Sequence, residues 1–213
     1  MMRIDKRIYF LFLSSFAVRA IFLFLTDNTC GDPAGKIIAS IDWLKDPKII
    51  TYGFSLPLHY YMLSLIIYFF DSPDISTRIL SLLFGSLTIF SFYSLVEMLF
   101  ESSIALYSSI FFIFFYHHIL YSTQTMGDTI FLFFSVSSLF YFFKSFLSTK
   151  GKLKHIFYSS LLLMLAGMIR IEAWVLIPFM VFIIASEKKV CGCYNIYSYF
   201  LIFSLCMACR KLI

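Results

Sequence analysis

Charge is what this sequence has least of. Asp, Glu, Lys and Arg together make up 14% of its 213 residues, against about 25% in an ordinary soluble domain. That deficit excludes a water-exposed globule, because a soluble fold of this size has no interior large enough to hide the 61% of residues that are hydrophobic. A continuous basic face is also missing. The 17 Lys and Arg exceed the 12 Asp and Glu to give a net charge of +5, but they sit between apolar stretches, so nucleic-acid binding has no support. The five cysteines are an odd number, and the Cys191–Cys193 spacing is too close for a C-x-x-C zinc knuckle, with no His following at ligand spacing. No Walker loop, dinucleotide glycine fingerprint, H-E-x-x-H or G-x-S-x-G is present, so soluble nucleotide chemistry is unsupported.

What is present is apolar and aromatic bulk: 28 Phe, 21% aromatics and a mean hydropathy of +0.88. The chain reads as a polytopic membrane protein. A helix crossing a bilayer needs about 20 mostly apolar residues. Windows of that kind lie at 8–26, 78–97, 103–121 and 129–147, a longer one at 156–185 is interrupted by Arg170 and Glu172, and a last candidate lies at 194–209. The first follows Arg3, Lys6 and Arg7 and lacks a small-residue cleavage site, so it is a retained helix with a cytoplasmic N-terminus.

The stretch from Leu58 to Phe70 is fenced by Pro57 before it and by Asp71, Pro73 and Asp74 after it. As a helix it rises only about 20 Å, short of a hydrocarbon core about 30 Å thick. If it lies in the interface, Lys144, Lys150, Lys152 and Lys154 fall on the cytoplasmic side, as the positive-inside rule prefers. Lys188 and Lys189 belong there too, so 156–185 folds as a helical hairpin with its tip at Arg170 to Glu172. The resulting outer face holds a long loop at 27–77, a short loop near 122–128 and the hairpin tip. In the long loop Ala34, Ile37, Ile38, Ile41 and Leu44 recur at helical spacing opposite Lys36, Ser40 and Lys45, which describes an amphipathic helix on the membrane. The expected fold is an all-α polytopic bundle of about six to seven spans, a single transmembrane domain over 1–213 with surface helices in the first outer loop.

Several polar residues converge on that face. Asp32, in Cys30-Gly31-Asp32-Pro33-Ala34, is placed either as a first-turn helix acid or as a carboxylate able to act as general base on an incoming hydroxyl. Asp128 opens the span at 129–147, where capping is again the simpler role. Arg19 and Arg170 lie inside apolar windows, where a charge is expensive and marks a cavity, a partner or an anionic substrate. Arg170 suits phosphate, which a guanidinium binds as a bidentate fork, and residues two apart on a helix, such as Arg170 and Glu172, do not face each other. His59 follows Pro57 at the start of the second surface helix, and His117 and His118 lie near the outer end of the 103–121 span.

The order Gly31-Asp32, then Phe54-Ser55-Leu56-Pro57-Leu58-His59-Tyr60-Tyr61, then Ile75-Ser76-Thr77-Arg78-Ile79-Leu80-Ser81-Leu82-Leu83-Phe84-Gly85, continues through Met126-Gly127-Asp128 and Ala166-Gly167-Met168-Ile169-Arg170-Ile171-Glu172-Ala173-Trp174. This succession resembles the dolichyl-phosphate-mannose protein mannosyltransferase-like membrane glycosyltransferases of the GT-C class. The resemblance covers about 8–185 and departs from many relatives in having Leu56, where they have a second proline, before Pro57. It implies transfer of a sugar from a polyprenyl-phosphate donor to a protein, lipid or glycan acceptor on the outer face of the cell membrane, or of the endoplasmic reticulum membrane in a eukaryote. It maps the catalytic acids to Asp32 and Asp128 and the phosphate-binding residue to Arg170; Arg19, His59 and Glu172 are further candidates for substrate binding from their own positions in the sequence. It names no certain cofactor and leaves a divalent metal open. Such enzymes are usually longer, and the chain ends on the basic Arg210-Lys211-Leu212-Ile213, so a truncated product with a shortened last span at 194–213 is expected. The competing readings are a transporter or channel subunit, which inverted repeats would favour and none is found, and a non-catalytic membrane fragment of a glycosyltransferase.

Overall fold

The computed structural model describes residues 6–27, 31–47, 56–70, 72–148 and 151–186. Among them the chain is helical with no strand, in the order α1 (Lys6–Leu25), α2 (Gly31–Lys45), α3 (Pro57–Phe69), α4 (Pro73–Leu99), α5 (Ser102–Ile113), α6 (Tyr116–Ser122), α7 (Asp128–Leu147), α8 (Lys152–Gly167), a 3₁₀ turn (Ile171–Val175) and α9 (Leu176–Ser186). Pro57 and Pro73 each open a helix, where the missing N–H costs nothing because a first-turn donor has no intrahelical partner. Gly151, at φ 81°, makes the left-handed step into α8 that a side chain would resist.

Among the described residues three helices, α1, α4 and α7, are long and apolar enough to cross a membrane, and α5 with α6 makes a fourth if the bent pair is one span. The described residues thus account for three or four of the six to seven expected spans. The arms of the predicted hairpin, α8 and α9, are 16 and 11 residues long, and at about 1.5 Å per residue neither reaches about 30 Å alone. The 194–209 candidate and all five cysteines lie outside the described residues. The 103–121 window is not one rod. It breaks at Phe114 and Phe115 with a bend of 59°, although neither Pro nor Gly stands there.

With no water to drive association inside a bilayer, close approach and hydrogen bonds hold the helices. The serines supply both. Ser138 Oγ donates to the Ser159 carbonyl at 2.8 Å and Ser159 Oγ to the Ser138 carbonyl at 3.0 Å, which locks α7 to α8. Ser91 and Ser137 meet at 2.5 Å between α4 and α7. Apolar clusters fill the rest: Ile8, Leu11, Ile89, Tyr93, Ala105 and Ile113 join α1, α4 and α5. Phe142, Ile156, Leu163, Ala166, Ala173 and Met180 join α7, α8, the 3₁₀ turn and α9.

Arg78 straps the other end of the α1–α4 pair. Its side chain is buried, Nε donates to the Thr123 carbonyl at 2.7 Å, and Nη2 donates to the carbonyls of Leu23 at 2.7 Å and of Thr26. The last turn of α1, whose carbonyls have no intrahelical partner, is thereby capped by a cation of the favourable sign. Thr77 and Thr125 hydroxyls meet at 2.8 Å. These contacts gather the C-terminus of α1 and the N-termini of α4 and α7 at one end of the bundle. Lys144, Lys152 and Lys154 stand at the opposite end of α7 and α8, over the rings of Phe140, Phe146 and Tyr158.

Both stretches expected as surface helices are helical, as α2 and α3. Leu63 of α3 packs with Leu80, Ile130 and Ile169, Ser64 Oγ donates to the Ser40 carbonyl at 2.9 Å, and Trp43 meets Tyr61 with ring centroids 4.9 Å apart. On α2 the polar Lys36 and Ser40 turn towards the protein, while Ile38 stays 60% exposed.

Candidate active site

A cavity of about 290 Å³ opens at the Arg78 end of the bundle, lined by Asp32, Lys36, His59, Gly127, Asp128, Ile169, Arg170, Ile171 and Glu172. Four separate stretches of chain meet in it. Asp32 and Lys36 come from the first turns of α2, His59 from α3, and Asp128 from the first turn of α7. Arg170 and Glu172 follow α8, where the Leu58 N–H donates to the Met168 carbonyl at 3.1 Å and pins the start of α3 beside them. Gly127 is there because of space. A Cβ would lie 3.1 Å from Ile169 Cγ2 and 3.5 Å from the His59 ring.

Arg170 ties the site together. Its Nη1 pairs with Asp128 Oδ1, and its Nε and Nη2 donate to Glu172 at 3.1 and 2.6 Å. The expectation that Arg170 and Glu172 would not meet is overturned, and the backbone gives the reason. Arg170 is not helical: at φ −141° and ψ 140° it is extended ahead of the 3₁₀ turn, so the i, i+2 restriction of a helix does not apply to it. The hydrogen bond from Arg170 holds the Glu172 carboxyl below its usual value, and the same bond raises Arg170.

Lys36 was not singled out from the sequence, where it belonged only to the polar side of an amphipathic helix. Its Nζ sits 2.7 Å from Asp32 Oδ2 and donates to Met126 Sδ at 3.1 Å, with its side chain only 13% exposed. The signal was the i, i+4 spacing from Asp32, which puts both on one face. His59 is 2% exposed with Nε2 unpartnered. Burial first, and then the positive charges of Lys36 and Arg170, push its pKa down to about 3, opposed by Asp32. It therefore stands as a neutral imidazole.

Arg19 does not line this cavity. It is fully buried on α1 and spends its donors on Ser15, Ser122 and His118. Among the described residues no group of three or more His, Cys, Asp or Glu is placed to hold a metal ion.

Residues 55–210 match the family profile described as dolichyl-phosphate-mannose-protein mannosyltransferase, a match over more than half of the chain. The chain belongs to this family. The family is one of membrane glycosyltransferases of the GT-C type, and the matched segment carries His59, Asp128, Arg170 and Glu172, while Asp32 and Lys36 precede it. No curated protein sequence matches the chain.

Proposed function

We propose that this cavity transfers a sugar from a polyprenyl-phosphate-linked donor to a hydroxyl acceptor at the outer face of the membrane, within a single transmembrane domain. The observation that carries the reading is the meeting of carboxylates from two helices, Asp32 and Asp128, with two cations, Lys36 and Arg170, in one cavity at the end of an apolar bundle. Lysines at the opposite end of α7 and α8 favour a cytoplasmic side there and an outward-facing cavity.

The step needs one base and one charge sink. Asp32, largely exposed at 66%, takes the acceptor proton as the acceptor oxygen bonds to the anomeric carbon. The bond from that carbon to the phosphate oxygen breaks, and the electron pair leaves on polyprenyl phosphate. Arg170 and Lys36 stabilise the charge that gathers there, and such placed charges lower the barrier because they act on the transition state. Asp128 and Glu172 keep the Arg170 fork oriented, and neutral His59 leaves the positive charge of the site to those two cations. Protein, lipid and glycan hydroxyls are all acceptable to this chemistry.

Release of polyprenyl phosphate from a panel of lipid-phosphate sugars, with protein in micelles or vesicles, is the direct test. Asp32→Asn should cut transfer by about 10² to 10⁴, the usual contribution of a positioned general base, while donor binding persists. Normal turnover by a well-expressed Asp32→Asn protein would remove Asp32 from the reaction.

A further inference from the structure

Arg19 presents a problem the proposed reaction does not use. It is buried inside a span, about 9 Å before the end of α1 at 1.5 Å per residue, and no carboxylate pairs with it among the described residues. Uncompensated charge in that setting is expensive, so the neutral groups around it must be arranged for it. They are. Nη1 donates to the Ser15 carbonyl at 3.0 Å and to Ser15 Oγ at 2.5 Å, within α1. Nε donates to Ser122 Oγ at 3.2 Å, and Nη2 meets His118 Nδ1 at 2.5 Å, both on α6. A guanidinium only donates, so His118 accepts through Nδ1 and carries its proton on Nε2.

The third helix of the junction leaves room for it. A Cβ on Gly85 of α4 would overlap Ser122 Oγ and stand 3.4 Å from Arg19 Nε. Beyond Ser122 the polar contacts continue without interruption. The Thr123 carbonyl is held by Arg78, Thr125 by Thr77, and the Met126 carbonyl by Ser81 Oγ at 3.4 Å, and the next residues are Gly127 and Asp128 of the cavity. The bend between α5 and α6, which no residue at Phe114 or Phe115 explains, lies where Arg19 grips α6.

We propose that Arg19 is a positioning residue: by gripping His118 and holding Ser122 in the notch of Gly85 it sets the α5–α6 break and thereby the placement of Gly127 and Asp128 in the cavity. It touches no substrate. Its catalytic consequence rests on the glycosyltransferase reading, whereas its geometric consequence does not.

The experiment uses the full chain with spin labels on non-natural keto side chains at Tyr116 and Leu153, and a control pair at Leu99 and Leu153, all exposed positions. Arg19→Met should shift or broaden the first distance distribution and leave the control unchanged. In the transfer assay it should lower kcat by about 10- to 100-fold with donor KM unchanged, since a misplacement of about 1 Å can cost about 10². Arg19→Lys, which keeps a donor, should recover part of both. Should Arg19→Met fail to fold, Gly85→Ala combined with Ser122→Gly replaces the missing volume and deletes the acceptor, and is expected to reproduce both effects. An unchanged label distance, or a raised donor KM at constant kcat, overturns the proposal, the second outcome assigning Arg19 to substrate instead. Absence of transfer from the unsubstituted protein with every donor would sink the glycosyltransferase reading alone, and the distances would still decide the geometry.

Discussion

Two carboxylates hold one guanidinium at Arg170, and the arrangement makes opposite demands on the two ways of removing it. Arg170→Lys keeps a charge between Asp128 and Glu172 and loses the fork, whereas Arg170→Ala leaves two carboxylates facing a cavity that they share. Hydrogen bonds to charged groups are worth about 1.5–3 kcal/mol, about 10- to 100-fold in affinity. Donor binding should therefore fall by about that factor for Arg170→Ala and by clearly less for Arg170→Lys, with thermal stability following the same order. Unchanged donor binding by a stable Arg170→Ala protein would take Arg170 out of the site. His59 gives a pH signature of its own. Its pKa is about 3 in the folded chain and about 6.5 when unfolded, so the unfolded state binds the extra proton first and stability falls as pH drops below 6.5. From pH 7 to pH 5 the loss should be about 2 kcal/mol, and His59→Gln should abolish that part of the slope in thermal unfolding. Glu172 acts in the same direction but only below the unfolded carboxyl range, because its folded pKa is depressed, so it adds nothing above pH 5, and the difference between the His59→Gln variant and the parent gives the share of His59.

Helix α7 is held by small side chains as well as by apolar ones. Ser138 and Ser159 are fully or almost fully buried at the α7–α8 contact, where each hydroxyl reaches the other's carbonyl. Interhelical hydrogen bonds in membranes average about 0.6 kcal/mol, so Ser138→Ala should cost about that amount in thermal unfolding. Ser138→Leu forces the helices apart and should cost about 1–3 kcal/mol. Equal effects of the two substitutions would show that close packing is not what holds the pair. The spans at α1, α4 and α7 were legible in the sequence because hydropathy over a bilayer-length window is a local property. The break between α5 and α6 was not, because its cause is Arg19, far away in sequence. The Arg170–Glu172 contact was missed for a related reason: helical periodicity was extended through a tip where Arg170 is extended backbone ahead of a 3₁₀ turn.

Across the molecule, the ends of α1, α4, α7 and α8 that carry the cavity lie away from the ends that carry Lys144, Lys152 and Lys154. A membrane-impermeant thiol reagent should therefore reach Lys45→Cys and Leu153→Cys, both well exposed, from opposite sides. Labelling of both from one side would break the topology and the outward-facing cavity with it. Composition alone was enough to assign the chain to a membrane, because burying so much apolar surface without lipid is beyond any fold of this size. The order of short motifs was enough to point to the family, and Asp32, His59, Asp128, Arg170 and Glu172 were all named from sequence. Their assembly was decided only by tertiary structure. Ion pairing and cavity lining depend on distances between helices, which one-dimensional periodicity does not carry. For the same reason Lys36 emerged as a wall of the cavity and Arg19 moved to a buried junction beneath it. A charged side chain in an apolar helix announces that a partner exists, and only the packed helices reveal whether that partner is a ligand or a neighbouring turn of the same chain.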